Sequence, residues 1–277
     1  MSANIILSSH NDISTAGNEL AIRFPVSYIS LNDQIALQSL SIYYSWFNVS
    51  TAFNNRTFSY TWVDGVTYPV SVEPGFYTID QLDQYLQFTF KNNGHYLKDD
   101  NGSDVYFLRL VTNAVYYSTT IDCSAVPNGT LPTNWTNPAG ITLNGKVPQL
   151  NFLSTSDFNV LVGYAKSTSY PPSLGTTEMR YNSTQTPIIS PVTSINVSCS
   201  WVKDGRFSDN PSVIATFVPD VQFGSLINFT PQTLLHYPVM AKNYTGISIS
   251  FFDQQFRPLT ILDTNQIQCS LALEPRR

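Results

Sequence analysis

Charge is the scarcest ingredient of this 277-residue chain: Asp, Glu, Lys and Arg together make up 12% of it, against roughly 25% in a typical soluble globular domain. A surface that poor in charge is not an ordinary cytosolic one. The 14 Lys and Arg against 19 Asp and Glu give a formal net charge of −5, so the basic footprint expected of a nucleic-acid or anionic-membrane binder is missing. Cysteine is scarce too. Cys123, Cys199 and Cys269 are an odd number without C-x-x-C spacing, which argues against a disulfide framework or a zinc site and for reduced, packed thiols. No apolar run approaches the roughly 18 residues of a membrane span. The opening Met1-Ser2-Ala3-Asn4-Ile5-Ile6-Leu7-Ser8-Ser9-His10 lacks the basic and long apolar regions of a signal peptide, so synthesis in the cytoplasm is expected. In that setting the N-x-[ST] sequons at Asn48, Asn55, Asn101, Asn128, Asn134, Asn182, Asn196, Asn228 and Asn243 reflect a chain rich in Asn, Ser and Thr rather than a glycosylated surface.

Aromatic residues are plentiful. With 16 Tyr, 17 Phe and 4 Trp, and 42% hydrophobic content overall, there is ample apolar area to bury, which excludes disorder. The dominant pattern is period-two alternation carried by β-branched and aromatic residues. Leu40, Ile42, Tyr44 and Trp46 share one face against Ser39, Ser41, Tyr43 and Ser45 on the other. The pattern returns with Ile195, Val197, Cys199 and Trp201, with Ile247, Ile249 and Phe251, and with Ile267, Cys269, Leu271 and Leu273. Each such strand offers an apolar face to a shared core.

Turn chemistry marks further elements. Asp64-Gly65 between the runs 57–63 and 66–72 has the spacing of a tight hairpin, with Pro69 suited to an edge strand. The spacing predicts one helix over 78–90, capped by Thr78 with Gln81 at the reciprocal position and with Ile79, Leu82, Leu86 and Phe90 as its apolar stripe. Between 124 and 191 Pro, Gly, Asn, Ser and Thr become dense, leaving short strand candidates at Ile141-Thr142-Leu143, Leu150-Asn151-Phe152-Leu153 and 158–164. The expected organisation is an extended N-terminal arm at 1–18, a jelly-roll domain from 19–123 and 192–275, and an insertion at 124–191. Principal strands are expected at 20–30, 35–47, 57–63, 66–72, 105–122, 193–202 and 213–229, with 245–273 as a terminal hairpin. The fold class is all-β: a single jelly-roll sandwich with one short helix and an inserted loop-rich β-subdomain. Lectin-like and immunoglobulin-like sandwiches are the competing topologies.

Catalytic signatures are absent. His10, His95 and His236 stand far apart and belong to no metal-binding spacing. There is no G-x-S-x-G elbow and no phosphate-cradling glycine loop. The oxygen-rich run Asp99-Asp100-Asn101-Gly102-Ser103-Asp104 lacks the downstream Glu of a calcium loop and reads as a turn. No carboxylate pair is marked out for glycoside hydrolysis. Arg276-Arg277 and the Lys91 to Lys98 region are small basic spots that read as solvated charge. No catalytic, cofactor-binding or metal-ligating residue is expected, and the alternation does not single out subunit-interface residues.

Three stretches together resemble the penton (minor capsid) proteins of virophages and polinton-like viruses. The first is Phe24-Pro25-Val26 followed by the run from Ile35 to Asn48. The second runs from Glu73-Pro74-Gly75-Phe76-Tyr77 through Leu82 and on to Asn93-Gly94-His95-Tyr96. The third runs from Ile247 to Leu259 and into the strand ending at Leu273. The resemblance does not extend over 124–191. It implies a single jelly roll that assembles as a homopentamer, plugs the five-fold vertices of an icosahedral capsid beside a double-jelly-roll major capsid protein, and carries no catalytic residues. The implied location is the virion. Charge and hydropathy lead to no specific nucleic acid and no membrane span as expectations, and a host receptor or glycan enters as a candidate partner through the binding-module alternative. Two other readings remain at this level: a host-attachment or carbohydrate-binding β-sandwich, whose recognition loops would lie in 124–191, and a secreted glycosidase.

Overall fold

The computed structural model describes residues 3–13, 17–202, 212–262 and 266–276. The chain divides into two compact units, one formed by 1–46 with 192–277 and the other by the continuous stretch 47–191. The first unit opens with β1 (Ala3–Ser8), β2 (Glu19–Ser30) and β3 (Asp33–Tyr43). The second holds β4 (Thr57–Thr61), β5 (Thr67–Ser71), α1 (Ile79–Asn92), β6 (Leu97–Lys98), β7 (Asp104–Val105), β8 (Leu108–Asn113), β9 (Ser118–Cys123), β10 (Gln149–Asn151), α2 (Phe158–Val162), β11 (Ser169–Tyr170) and β12 (Met179–Asn182). The first unit then resumes with β13 (Ile195–Cys199), β14 (Val213–Phe217), β15 (Leu226–Phe229), β16 (Tyr237–Pro238), β17 (Lys242–Asp253) and β18 (Gln268–Pro275).

In the first unit, one sheet has the order β1-β18-β3-β15, with the short β16 also on β3, and the other has the order β14-β13-β17-β2. Lettered B to I along the chain and omitting β16, the eight main strands read B-I-D-G and F-E-H-C. That is the jelly-roll order, two four-stranded antiparallel sheets linked as Greek keys. Their inner faces supply the core, which includes Leu7, Leu20, Ile35, Leu40, Ile42, Val197, Ile249, Phe251, Cys269 and Leu271. The alternation in β3 changes phase between Leu37 and Leu40 because its pairing with β18 slips there, Ser39 facing Ser270 and Leu37 facing Leu271. A bulge of this kind inserts one residue and returns the next apolar side chain to the core.

Polar residues on the central strand β13 are buried rather than wet. Asn196 donates its amide to the Asp253 carbonyl (2.8 Å) and accepts from the Thr216 hydroxyl (2.8 Å). Trp201 is sandwiched between Tyr28 and Tyr244, at ring-centroid distances of 5.6 and 4.4 Å, and its indole N–H donates to the Gly246 carbonyl. The Cys199 and Cys269 thiols are buried and unpaired by disulfide, and burial pushes Cys199 up to about 11, so neither is a ready nucleophile.

The structure corrects several sequence expectations. The expected arm at 1–18 contains β1, paired in register with the C-terminal strand from Ala3↔Leu273 to Ser8↔Gln268; residues 1, 2 and 14–16 of that arm lie outside the described residues. Its partner is at the far end of the chain, beyond the reach of any local pattern. The expected terminal hairpin is two strands in different sheets: β17 pairs with β13 and β2, while β18 pairs with β1 and β3. The second unit begins at Phe47 instead of 124, so the 57–72 hairpin, the helix and the 105–122 strands belong to it and not to the jelly roll. Those strands are as regular as sandwich strands, whereas the change of composition at 124 marks only the loops of this unit. Residues 141–143 form no strand.

The short apolar run at 158–162 is a helix, a second one, instead of a strand. Its end is set by Gly163 at φ +82, where a Cβ would lie 2.2 Å from the Gln185 carbonyl oxygen. A left-handed glycine just past the last turn favours helix termination over an extended strand.

The second unit has its own core, including Phe58, Tyr60, Trp62, Leu82, Leu86, Phe90, Leu108, Ile121, Leu150, Phe158 and Tyr164. Its four-stranded sheet runs β11-β10-β4-β5 and its three-stranded sheet β12-β9-β8. The Asp64-Gly65 turn forms the expected hairpin, with the Trp62 N–H donating to Val66, and Pro69 sits on edge strand β5. Helix α1 has the full capping box: Gln81 N–H donates to the Thr78 hydroxyl, and Thr78 N–H to the Gln81 side chain. Its apolar stripe of Ile79, Leu82, Leu86 and Phe90 is buried as read.

Candidate functional site

The histidines do not assemble a site. His10 is exposed, His236 lies 3.7 Å from the Glu274 carboxylate, and His95 is buried in the second unit. Among the described residues no group of three or more His, Cys, Asp or Glu side chains could hold a metal ion. His95 stacks on Trp62 (4.3 Å, 7°) and meets Tyr68 edge-on. Desolvation lowers its pKa to about 4, so it is neutral across the physiological range. Burial raises the Tyr60 phenol beside it. With His95 only 6% exposed, this cluster is a polar element of the core and not an accessible acid–base pair.

The run 99–104 is a turn between β6 and β7. The Asp99 carboxylate accepts the N–H groups of Asn101 and Ser103, and Asp104 binds Lys91 and Lys98 at 2.6 and 2.8 Å. Those lysines hold the Asp104 carboxyl below its usual range. Both lysines of the Lys91 to Lys98 region are thus engaged by one carboxylate, which offsets one of their two charges. At the C-terminus the Arg276 N–H donates to the Asn32 carbonyl, and Arg277 lies outside the described residues.

Three sequons are closed by the fold. Asn48, Asn55 and Asn196 are 1%, 4% and 7% exposed. The Asn48 amide donates to the carbonyls of Tyr77 and Ile189.

Two surface features remain. On the jelly roll, edge strand β2 departs from its neighbour between Arg23 and Tyr28, since Arg23 faces Gly246 and Tyr28 faces Tyr244. The extra residues carry Val26 outward, 78% exposed, and Ile29 and Leu31 beyond it are 64% and 80% exposed. Sequence alternation could not place Val26, because it lies among the excess residues between Arg23 and Tyr28 that have no partner on β17, whereas Ile29 is paired with Asn243.

The second feature is in the inserted unit, where the outer face of the β12-β9-β8 sheet forms an open groove of about 490 Å³. Pairing registers place Arg180, Asp122 and Arg109 in one row across the three strands, and Asn182, Thr120 and Val111 in the next. The β8–β9 turn walls one end of the groove. A cluster defined by cross-strand register is invisible to one-dimensional motif searching, since its members come from 109–122 and 180–182.

Fold and surface together define a jelly-roll protein with an inserted β-rich unit and, among the described residues, no assembled metal or catalytic cluster. No protein-family model and no curated protein matches the chain. Among solved structures, the crystal structure of the mavirus penton protein is similar over 99% of each chain, at 11% sequence identity and a TM-score of 0.49. No helix among the described residues is long and apolar enough to cross a membrane.

Proposed function

We propose that this protein is a structural virion protein: a penton capsomer that closes on itself as a homopentamer at the five-fold vertices of an icosahedral capsid, beside a double-jelly-roll major capsid protein. The observation that carries the reading is the B-I-D-G and F-E-H-C strand order of the first unit, the architecture shared by viral capsid and lectin domains. Fold alone does not assign function, and two further observations support the choice. The first and third stretches that resemble penton proteins fall on β2, β3, β17, its following turn and β18, the frame of the jelly roll. The exposed apolar residues of β2 and the low charge of the chain suit lateral surfaces that are covered by other subunits, because interface centres are depleted in Lys, Glu and Asp.

Self-closing rings require a heterologous contact repeated around the axis. Electron micrographs of the purified protein, together with sedimentation, test this. Five-fold rings, or five-fold plugs after co-expression with the major capsid protein, are the expected result. A protein that stays monomeric in both settings overturns the proposal.

A further inference from the structure

The groove on the inserted unit has no role in the capsomer reading, and its chemistry is specific. Arg180 holds Asp122 Oδ2 through Nε and Nη2 at 3.1 and 3.0 Å, so the floor carries both signs and no net charge from this pair. Donors and acceptors remain directed outward. Among the described residues, Arg180 bonds Asp122 through Oδ2 and leaves Oδ1 without a hydrogen bond, the Arg180 side chain is 76% exposed, and Asn182 bonds through its carbonyl oxygen, accepting from the Thr120 hydroxyl at 2.7 Å.

The turn beside this floor is Ala114-Val115-Tyr116-Tyr117. Val115, Tyr116 and Tyr117 are 81%, 74% and 79% exposed, three consecutive large side chains that contribute nothing to the core. Tyr117 adopts φ +48, a left-handed conformation that costs a non-glycine residue stability and that hairpin turns ordinarily give to Gly or Asn. Tyr117 thus combines an exposed ring with a backbone conformation that disfavours it, and its side chain gives the fold no buried contact in return.

The geometry points to a binding site for a neutral oligosaccharide, in which sugar hydroxyls bridge Asp122 Oδ1, Arg180 and the Asn182 amide while an apolar sugar face stacks on the tyrosine tip. An anionic ligand has no uncompensated cation in this row to meet. A nucleic acid is disfavoured in addition by the negative net charge of the chain. A neutral polyol needs donors and acceptors in equal supply beside an aromatic plane; the groove lining supplies the first, and Tyr116 and Tyr117, which follow the lining residues Ala114 and Val115 in the same turn, are the exposed rings at its end. The inference does not depend on the pentamer, since every residue involved lies in the inserted unit.

The test is a glycan array probed with the labelled full-length chain, carrying neutral hexose- and N-acetylhexosamine-terminated glycans alongside sialylated and sulfated ones. The strongest hit is then titrated against the wild type, Tyr117→Gly, Arg180→Ala and the control Phe88→Ala, which removes another exposed aromatic, from α1. Neutral glycans should bind, and both Tyr117→Gly and Arg180→Ala should weaken binding at least tenfold while Phe88→Ala leaves it unchanged. Tyr117→Gly should melt at the same temperature as the wild type or higher, separating loss of binding from loss of folding. Absence of any glycan binding, binding only to charged glycans, or binding unchanged in both groove variants overturns the inference. So does a Tyr117→Gly protein that fails in particle assembly without any glycan ligand having been found, because the tip would then be a contact between capsomers. Five-fold rings formed by a protein that binds no glycan would leave the capsomer reading standing while removing this one.

Discussion

The Tyr60 hydroxyl and His95 Nδ1 lie 2.8 Å apart in the core of the inserted unit, and the Asn93 amide donates to the same hydroxyl at 2.7 Å. With Asn93 as donor, the phenolic proton is directed at Nδ1, which requires His95 to be neutral. Protonation would set an N–H against an O–H in a site closed by Trp62 and Tyr68. In the unfolded chain His95 titrates near 6.5, and in the fold near 4. The unfolded state therefore binds the extra proton first, and stability is fully present above pH 6.5 and lost as pH falls through 4. The whole shift corresponds to about 3 kcal/mol. Melting temperature followed between pH 7 and 4 should fall in the wild type, and the part of that fall due to one proton should vanish in His95→Gln.

Asp83 on α1 is 4% exposed and accepts the backbone N–H of Leu110 at 2.8 Å, with Arg109 at 3.0 Å and Gln87 also on its Oδ2. It thereby caps the open edge of β8. Burial raises its carboxyl, although Leu110, Arg109 and Gln87 oppose that shift. Asp83→Ala leaves a buried N–H without an acceptor and should cost about 2–4 kcal/mol in denaturant unfolding. Asp83→Asn keeps an acceptor for Leu110 and should cost about half as much. Equal losses would show that the charge, and not the edge N–H, is what α1 supplies.

Trp46 is 2% exposed and stacks on Tyr44 at 4.3 Å. Trp46→Ala should destabilise the jelly roll by about 3–5 kcal/mol, read from chemical denaturation. A cost below about 0.5 kcal/mol would place this ring outside the core.

Removing residues 1–8 deletes strand β1 and the side chain of Leu7, which is 1% exposed. It also uncovers the edge of β18. Burial of Leu7 alone accounts for about 2 kcal/mol, and the exposed strand edge invites aggregation. The truncated protein should melt lower and aggregate on heating; unchanged melting would mean that β1 is a dispensable extension.

Much of this was legible in residue order. Alternation located the buried faces of β3, β13, β17 and β18, and the Thr78 and Gln81 pair located the start of α1, because these signals are local. Sheet membership was not local. The link between Leu7 and Cys269 and the separation of β17 from β18 depend on contacts across the chain, and period-two patterning is the same in either sheet. The unit boundary at Phe47 was hidden for the same reason: Phe58 and Tyr60 alternate as sandwich residues do, yet they serve a different core. The groove residues Asp122, Arg180 and Asn182 carry no motif, and only the β9–β12 register brings them side by side.

The division of the jelly roll around a continuous unit has a consequence for synthesis. The unit 47–191 is complete on the ribosome while the first three jelly-roll strands still lack β13–β18. At about 5–20 residues per second, the stretch between β1 and its partner β18 takes tens of seconds to emerge. During that interval β1, β2 and β3 must wait without collapsing onto strands from neighbouring chains. Asn4 and Ser8 of β1 and Gln34, Gln38, Ser39 and Ser41 of β3 stay at least partly exposed in the finished fold, and the same side chains help keep an unpaired nascent edge in water until the last strand arrives.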